Sequence, residues 1–282
     1  MTMRPTLALI ILLLLTGCVS REERAAKHLL AEAQIAYQDS DYSHSARLLD
    51  SLHRTYSGAV ETRKVALHLQ QLVRTATAKR DSIRMTSLAE EGVARLDSLQ
   101  RLFKLIEYPR MPDENILRYK GYDPSAANPE ANFLDAYIKA DGKIQLIAGT
   151  SAPKAQGVTY LRLMEETGGT YVLSDTIPYD RALNYRFRTG GVTHERLTLS
   201  LEASERLGAF VHATPTSSAI RASFGPQGKS FTLDARAREA ISATYLYFRT
   251  YVGIKNAEGE AEAATARAAH FGTKAHLTDP AK

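Results

Sequence analysis

Residues 133–148 read FLDAYIKADGKIQLIA. Two runs, 133–139 and 143–148, carry the side-chain period of two that a strand needs, and Asp141-Gly142 sits between them. An Asp-Gly pair between such runs is a strong hairpin signal, because the tight turn needs left-handed backbone. This stretch therefore decides that the second half of the chain is built on antiparallel β structure.

The pattern continues downstream. Strands are expected at 157–164, 170–176, 183–188, 193–201, 207–213 and 218–224. Gly168-Gly169, Gly190-Gly191 and Gly225-Pro226 mark turns between some of them. Leu197, Leu199 and Leu201 alternate with Thr198 and Ser200, as one buried sheet face requires. Short strands at this spacing suggest an antiparallel sandwich. A helix is expected over 234–251, with Tyr245, Phe248 and Tyr251 packing on the sheet. The segment 256–282 is Ala-rich with little bulky apolar content, and reads as a frayed helix or flexible tail.

Upstream the period changes. Residues 108–130 carry Pro109, Pro112, Pro124 and Pro129 and read as a Pro-rich linker. Residues 18–107 read as a helical domain. One helix is expected over 22–38, with Ala25, Leu29, Ala33 and Ala36 at helical spacing. Asp39-Ser40-Asp41 breaks it, and Ser40 or Asp41 is placed to cap a second helix over 42–56. Val65, Leu69, Leu72, Ala76 and Ile83 then lie close to a coiled-coil seam. Asp81-Ser82 and Gly92 are candidate breaks, so this stretch is expected to fold back on the hairpin as a bundle core. The fold class expected is α+β: an N-terminal helical hairpin or bundle, then an antiparallel β-sandwich-like domain over 131–255 with a terminal helix.

The hairpin over about 33–57 resembles a tetratricopeptide repeat in Tyr37, Ser40-Asp41-Tyr42, Ser45, Leu49, Leu52 and Tyr56. It departs from that repeat at Ser40, where the family has Gly, and at Ser57, where it has Pro. Separately, the helical domain as a whole is the expected contact with another envelope protein, and the apolar stripe over 60–107 reads either as a bundle core or as a partner-binding groove.

The N-terminus follows the plan of a secretory signal: Arg4, then the apolar run 7–15 (LALIILLLL), then small residues. That run is too short to span a bilayer, which needs roughly 20 apolar residues. Leu15-Thr16-Gly17-Cys18 resembles the lipobox of bacterial lipoproteins. The resemblance implies removal of residues 1–17 and attachment of acyl chains, palmitate among them, at Cys18. Two or more chains would anchor the protein stably to a membrane. Val19 stands where an aspartate would signal inner-membrane retention, so the resemblance implies the outer membrane. In Ser20-Arg21-Glu22-Glu23 the two carboxylates read either as the favourable start of a helix or as a short acidic export signal.

Composition limits the chemistry. The formal charge of +5 over 282 residues is mild, with both signs interspersed, so no nucleic-acid partner is expected. Cys18 is the single cysteine, which leaves no thiol for disulfides, catalysis or metal binding once it is lipidated. The histidines form no HExxH pattern, and no G-x-S-x-G elbow, P-loop or dinucleotide fingerprint occurs. His194 and Glu195 are neighbours on a strand and point to opposite faces. No catalytic residue, metal or cofactor is therefore assigned, and the chain reads as a non-catalytic envelope scaffold, although a carboxylate pair from distant residues stays open. One segment is chemically distinctive. In Asn184-Tyr185-Arg186-Phe187-Arg188 a strand puts Tyr185 and Phe187 on one face and Arg186 and Arg188 on the other. Paired guanidinium groups suit a carboxylate or phosphate, so Tyr185, Arg186 and Arg188 are candidate ligand-binding residues for a glycan or small ligand.

Overall fold

The computed structural model describes residues 6–124 and 131–280, with side chains from residue 21 onward. Arg4, residues 125–130 of the expected linker and the thiol of Cys18 lie outside the described residues. The architecture is α+β, with helices at the N-terminus, two antiparallel sheets and a C-terminal helix. The chain forms two compact units, Met1–Ala89 with Asn256–Lys282, and Glu90–Lys255.

The first unit is helical. Helix α1 runs Thr6–Gln38, α2 runs Tyr42–Thr55, and α3 begins at Val60 and extends to Gln100. Ser40 takes the left-handed backbone that ends α1. Asp41 caps α2 by accepting from the His44 N–H at 2.9 Å. The fully buried Ser45 donates to the Ala33 carbonyl at 2.8 Å, so the small residue sits where α1 and α2 cross. Leu30, Leu49, Leu52, Leu69 and Val73 form the core between α1, α2 and α3.

Glu22 and Glu23 lie within α1 rather than at the start of a helix, and their carboxylates serve another helix. Glu22 accepts from the Gly58 N–H at 2.9 Å. Glu23 accepts from the Thr62 hydroxyl at 2.6 Å and from the Thr62 N–H at 3.3 Å. Thr62 lies in the first turn of α3, whose N–H groups lack intrahelical partners, and Gly58 lies just before it, so these carboxylates supply acceptors and favourable charge at that end.

Two expectations about the helices are corrected. Residues 60–100 are one unbroken helix: its first half does pack on the hairpin, through Ala66, Leu69 and Val73, but no break at Asp81-Ser82 turns it back. Gly92 is not a break: a methyl there would lie 2.6 Å from Ile254 Cγ1, so the glycine allows a close approach. The tail is not frayed either. Helix α5 runs Ala235–Leu277. Within the first unit its last turns lie antiparallel to α3. His68 Nδ1 sits 3.0 Å from the Ala275 carbonyl, Ser82 and Thr265 hydroxyls are 2.8 Å apart, and Arg74 stacks over Phe271. Ala264, Ala268 and Ala275 are buried. Alanine has the highest helix propensity, and its small side chain lets helices pack closely, so low bulk did not mean disorder.

In the second unit the six-stranded sheet has the order β1-β2-β3-β4-β8-β7 and the four-stranded sheet the order β10-β9-β5-β6, all antiparallel. The strands are β1 Phe103–Ile106, β2 Ile116–Tyr119, β3 Phe133–Lys139, β4 Ile144–Ala152, β5 Tyr160–Glu165, β6 Tyr171–Leu173, β7 Asn184–Thr189, β8 Val192–Thr198, β9 Ile220–Gly225 and β10 Ser230–Thr232. β1 falls inside the stretch expected to be helical, and β2 inside the expected linker. Both are short strands paired to each other at the margin of the sheet, which gives sequence periodicity little to register.

Asp141-Gly142 forms the turn between β3 and β4, with Gly142 at φ 80°. The register pairs Leu134 with Ala148 and Ala136 with Leu146. That face, with Ile138, Ile144 and Leu197, packs against Leu161 and Leu163 of β5, Ile220 and Phe224 of β9, and two helices.

One of those helices corrects the expected strand at 207–213. Helix α4 runs Leu201–Ala213, capped by the Ser200 hydroxyl, which accepts from the Ala203 N–H at 3.1 Å. Ala203, Leu207 and Val211 recur at four-residue spacing on its buried side, while Leu201 is 38% exposed. The alternation of leucines ends at Leu199, and the hydroxyl cap turns the chain. Truncating the fully buried Leu134 to Ala is expected to destabilise the fold by about 2–5 kcal/mol, read by urea unfolding with an unchanged denaturant slope.

Candidate binding face on the six-stranded sheet

The face of the six-stranded sheet opposite its apolar core is polar and aromatic. Register places Phe133, Gly149, Arg196 and Tyr185 in one cross-strand row over β3, β4, β8 and β7. The next row holds Ser151, His194 and Phe187. Directly opposed residues point to the same side, so these side chains form one continuous patch.

Gly149 makes the first row possible. A Cβ there would lie 2.4 Å from the Phe133 ring and 2.8 Å from an Arg196 nitrogen. Without it, the Arg196 guanidinium lies over the Phe133 ring at 4.6 Å and reaches towards Phe187 at 5.8 Å. Arg196 is 6% exposed and donates to the Glu195 carbonyl at 3.2 Å. Burial holds this guanidinium below its ordinary value, with nearby Tyr185 acting in the opposite direction. An arginine can lie flat on aromatic faces because its planar charge is weakly hydrated.

In the second row the Ser151 hydroxyl and His194 Nδ1 are 2.8 Å apart, and the imidazole stacks on Phe187 with centroids 4.7 Å apart. Both Ser151 and His194 are buried. The pair is thus a satisfied hydrogen bond beneath an aromatic cover rather than an open nucleophile. Glu195 points to the other face, as expected for the neighbour of His194. Its buried carboxylate accepts from the backbone N–H groups of Gln156 and Gly157 at 2.6 and 3.0 Å, fixing the β4–β5 connection.

Further along the same face the Arg118 guanidinium, on β2, bridges Asp123 at 2.5 Å and Asp135 at 2.9 Å. Asp135 is almost fully buried, and burial pushes its carboxyl up to about 6 despite the opposing pull of Arg118. Burial also pushes the Tyr137 phenol up to about 12, with the Asp135 charge adding to the shift.

The structure brings the sequence candidates Tyr185, Arg186 and Arg188 together on β7, the terminal strand of its sheet. Their surroundings are those of an exposed strand. Tyr185 and Phe187 are 38% and 44% exposed and stack on each other with rings inclined by 19°. On the other face Arg186 lies over the Tyr179 ring at 4.2 Å, and Arg188 donates to the Gly191 carbonyl at 3.2 Å. The two guanidinium groups therefore follow separate contacts and do not converge on one point. The backbone of Cys18 lies in α1.

Sequence reasoning missed Phe133, Gly149, His194 and Arg196 as neighbours of Tyr185. They come from three other strands, and only the register joins them. Among the described residues no three His, Cys, Asp or Glu side chains gather as metal ligands. In the helical unit an apolar groove of about 560 Å³ lies between α3 and α5, lined by Thr75, Ser82, Ile83, Ala268 and Gly272, with Ile83 72% exposed. No family model matches this chain, and no curated protein matches it significantly.

Two outcomes separate structural from contact roles on this patch. Arg196→Ala uncovers the Phe133 ring and is expected to destabilise by about 1–3 kcal/mol, whereas Arg186→Ala with Arg188→Ala should stay within about 0.5 kcal/mol, both by thermal and urea unfolding. Asp135 should show in the pH dependence. The folded state holds its proton more tightly than the unfolded chain, so its contribution rises as pH falls through about 6. Relative to Asp135→Asn, the wild-type protein should lose up to about 3 kcal/mol between about pH 4 and about pH 7.

Proposed function

We propose that this protein is a lipid-anchored, non-catalytic interaction module of the bacterial cell envelope, held at the outer membrane through Cys18 and engaging a protein partner. The anchor rests on Leu15-Thr16-Gly17-Cys18 and the apolar run before it. Among the described residues no helix is long and apolar enough to cross a membrane, which agrees with tethering by lipid. Cleavage before Cys18 would leave α1 starting one turn before Glu22, whose carboxylate ties α1 to the loop that precedes α3.

The observation that carries the interaction reading is the β7–β8 hairpin. It presents exposed Tyr185 and Phe187 on one side and Arg186 and Arg188 on the other, along a strand that pairs with no other strand on its outer side among the described residues. Aromatic and arginine side chains are the types that carry most binding energy at protein interfaces. The groove between α3 and α5 is a second surface, apolar and suited to a helical partner. A second reading is favoured by one detail: the nearly parallel Tyr185 and Phe187 rings form a platform on which a sugar ring can stack.

Two measurements test the reading. Cys18→Ser should abolish incorporation of radiolabelled palmitate and release the protein from the membrane fraction; labelling that survives the substitution removes the anchor. A photo-crosslinking amino acid at position 187 in intact cells should give a discrete protein adduct that is lost on adding Tyr185→Ala. Adducts to polysaccharide alone would instead support the sugar-binding reading.

A further inference from the structure

The outer edge of β7 has an ordered set of unused hydrogen-bonding groups. In the β7–β8 hairpin, Thr189 opposes Val192 across Gly190-Gly191, both at positive φ. The Thr198 N–H donates to the Leu183 carbonyl, so odd-numbered residues of this strand face β8. Even-numbered residues face away. The Asn184 carbonyl shows this directly: it accepts from the N–H groups of Asp180 and Arg181, which close the start of the edge. Beyond that point the N–H and C=O groups of Arg186 and Arg188 point outward, and among the described residues no backbone group reaches them.

The side chains at this edge are not neutralised. The contacts of Arg186 and Arg188 are an aromatic ring and a carbonyl, and neither is a carboxylate. Every salt bridge of the described residues lies elsewhere. Glu195, directly opposite Arg186 on β8, is committed to the Gln156 and Gly157 amides. Two cations thus stand on one face of an open edge, while Tyr185 and Phe187 form an apolar shelf on the other.

We propose, resting on the interaction-module reading, that β7 accepts an extended acidic segment of a partner protein as an added antiparallel or parallel strand. The backbone of Arg186 and Arg188 supplies the ladder. Strand geometry then fixes the partner's pattern. Its residues on the Arg186 side are acidic, and the alternating ones, on the Tyr185 side, are apolar. A positively charged edge also repels a second copy of itself, which disfavours edge-to-edge self-association.

The test uses the full chain in mild detergent and a short acetylated peptide in which glutamate alternates with valine. The control peptide has lysine in place of each glutamate. Calorimetry should show binding of the acidic peptide and none of the lysine peptide. Arg186→Glu with Arg188→Glu should weaken that binding by at least about tenfold, and Arg186→Lys with Arg188→Lys should keep it within a few-fold. Hydrogen exchange gives a signature that charge alone cannot: the amides of Arg186 and Arg188 should gain protection, while those of Tyr185 and Phe187, already paired, should not change. Equal binding of both peptides, or binding without protection at Arg186 and Arg188, overturns the added strand. If the peptide fails while position 187 still crosslinks a discrete protein, the strand proposal falls and the interaction module stands. If both fail, both fall.

Discussion

The register of β3 against β4 is the constraint on which the sheet unit depends. Leu134 opposes Ala148 and Ala136 opposes Leu146, so one face is apolar and lies in the core. The same pairing places Phe133 opposite Gly149 on the other face. A slip of one residue would send the leucines to the polar side and Asp135 into the core. The Asp-Gly turn and the cost of exposing that apolar row therefore hold the register together. The Phe133–Arg196–Tyr185 row follows from it, because β8 and β7 are added in register with β4.

Much of this was legible in the sequence where side-chain period and turn chemistry agree. The β3–β4 and β7–β8 hairpins stand where 133–148 and the Gly190-Gly191 turn put them. The α1–α2 hairpin does too, with Asp41 as the cap. The differences have two physical causes. Leu201 extends the leucine spacing by one more step, but the Ser200 hydroxyl caps a helix there and ends the strand, so local spacing misleads. The alanine-rich end of α5 carries no local signal of burial, because its burial depends on α3, distant in sequence. The candidate patch was half legible: Tyr185, Arg186 and Arg188 share a strand, whereas Arg196 and Phe133 join Tyr185 only through pairing that no local pattern encodes.

In the helical unit the acidic pair Glu22 and Glu23 has a defined structural task. Glu22 and Glu23 accept from Gly58 and Thr62 at the start of α3, across more than thirty residues of chain. Charge-assisted acceptors at a helix N-terminus stabilise both the helix and the crossing that brings them there. With Cys18 one turn earlier in α1, a lipid at that position would be joined to the packed helices through a short helical stretch rather than a long tether.

An exposed strand edge is normally a liability, and proteins blunt it with charge, proline or cover. Along β7 charge is used: Arg186 and Arg188 flank Phe187, and no proline interrupts the strand. Charge of one sign blocks pairing with like-charged edges but lowers the cost of pairing with the opposite sign. The same two arginines therefore act as protection against indiscriminate association and as a selection rule. The exposed Tyr185–Phe187 stack is the part that charge protection alone does not require. Apolar rings exposed beside an open ladder lose hydration when a strand is added, and this distinguishes an edge built for a partner from one built only to stay unpaired.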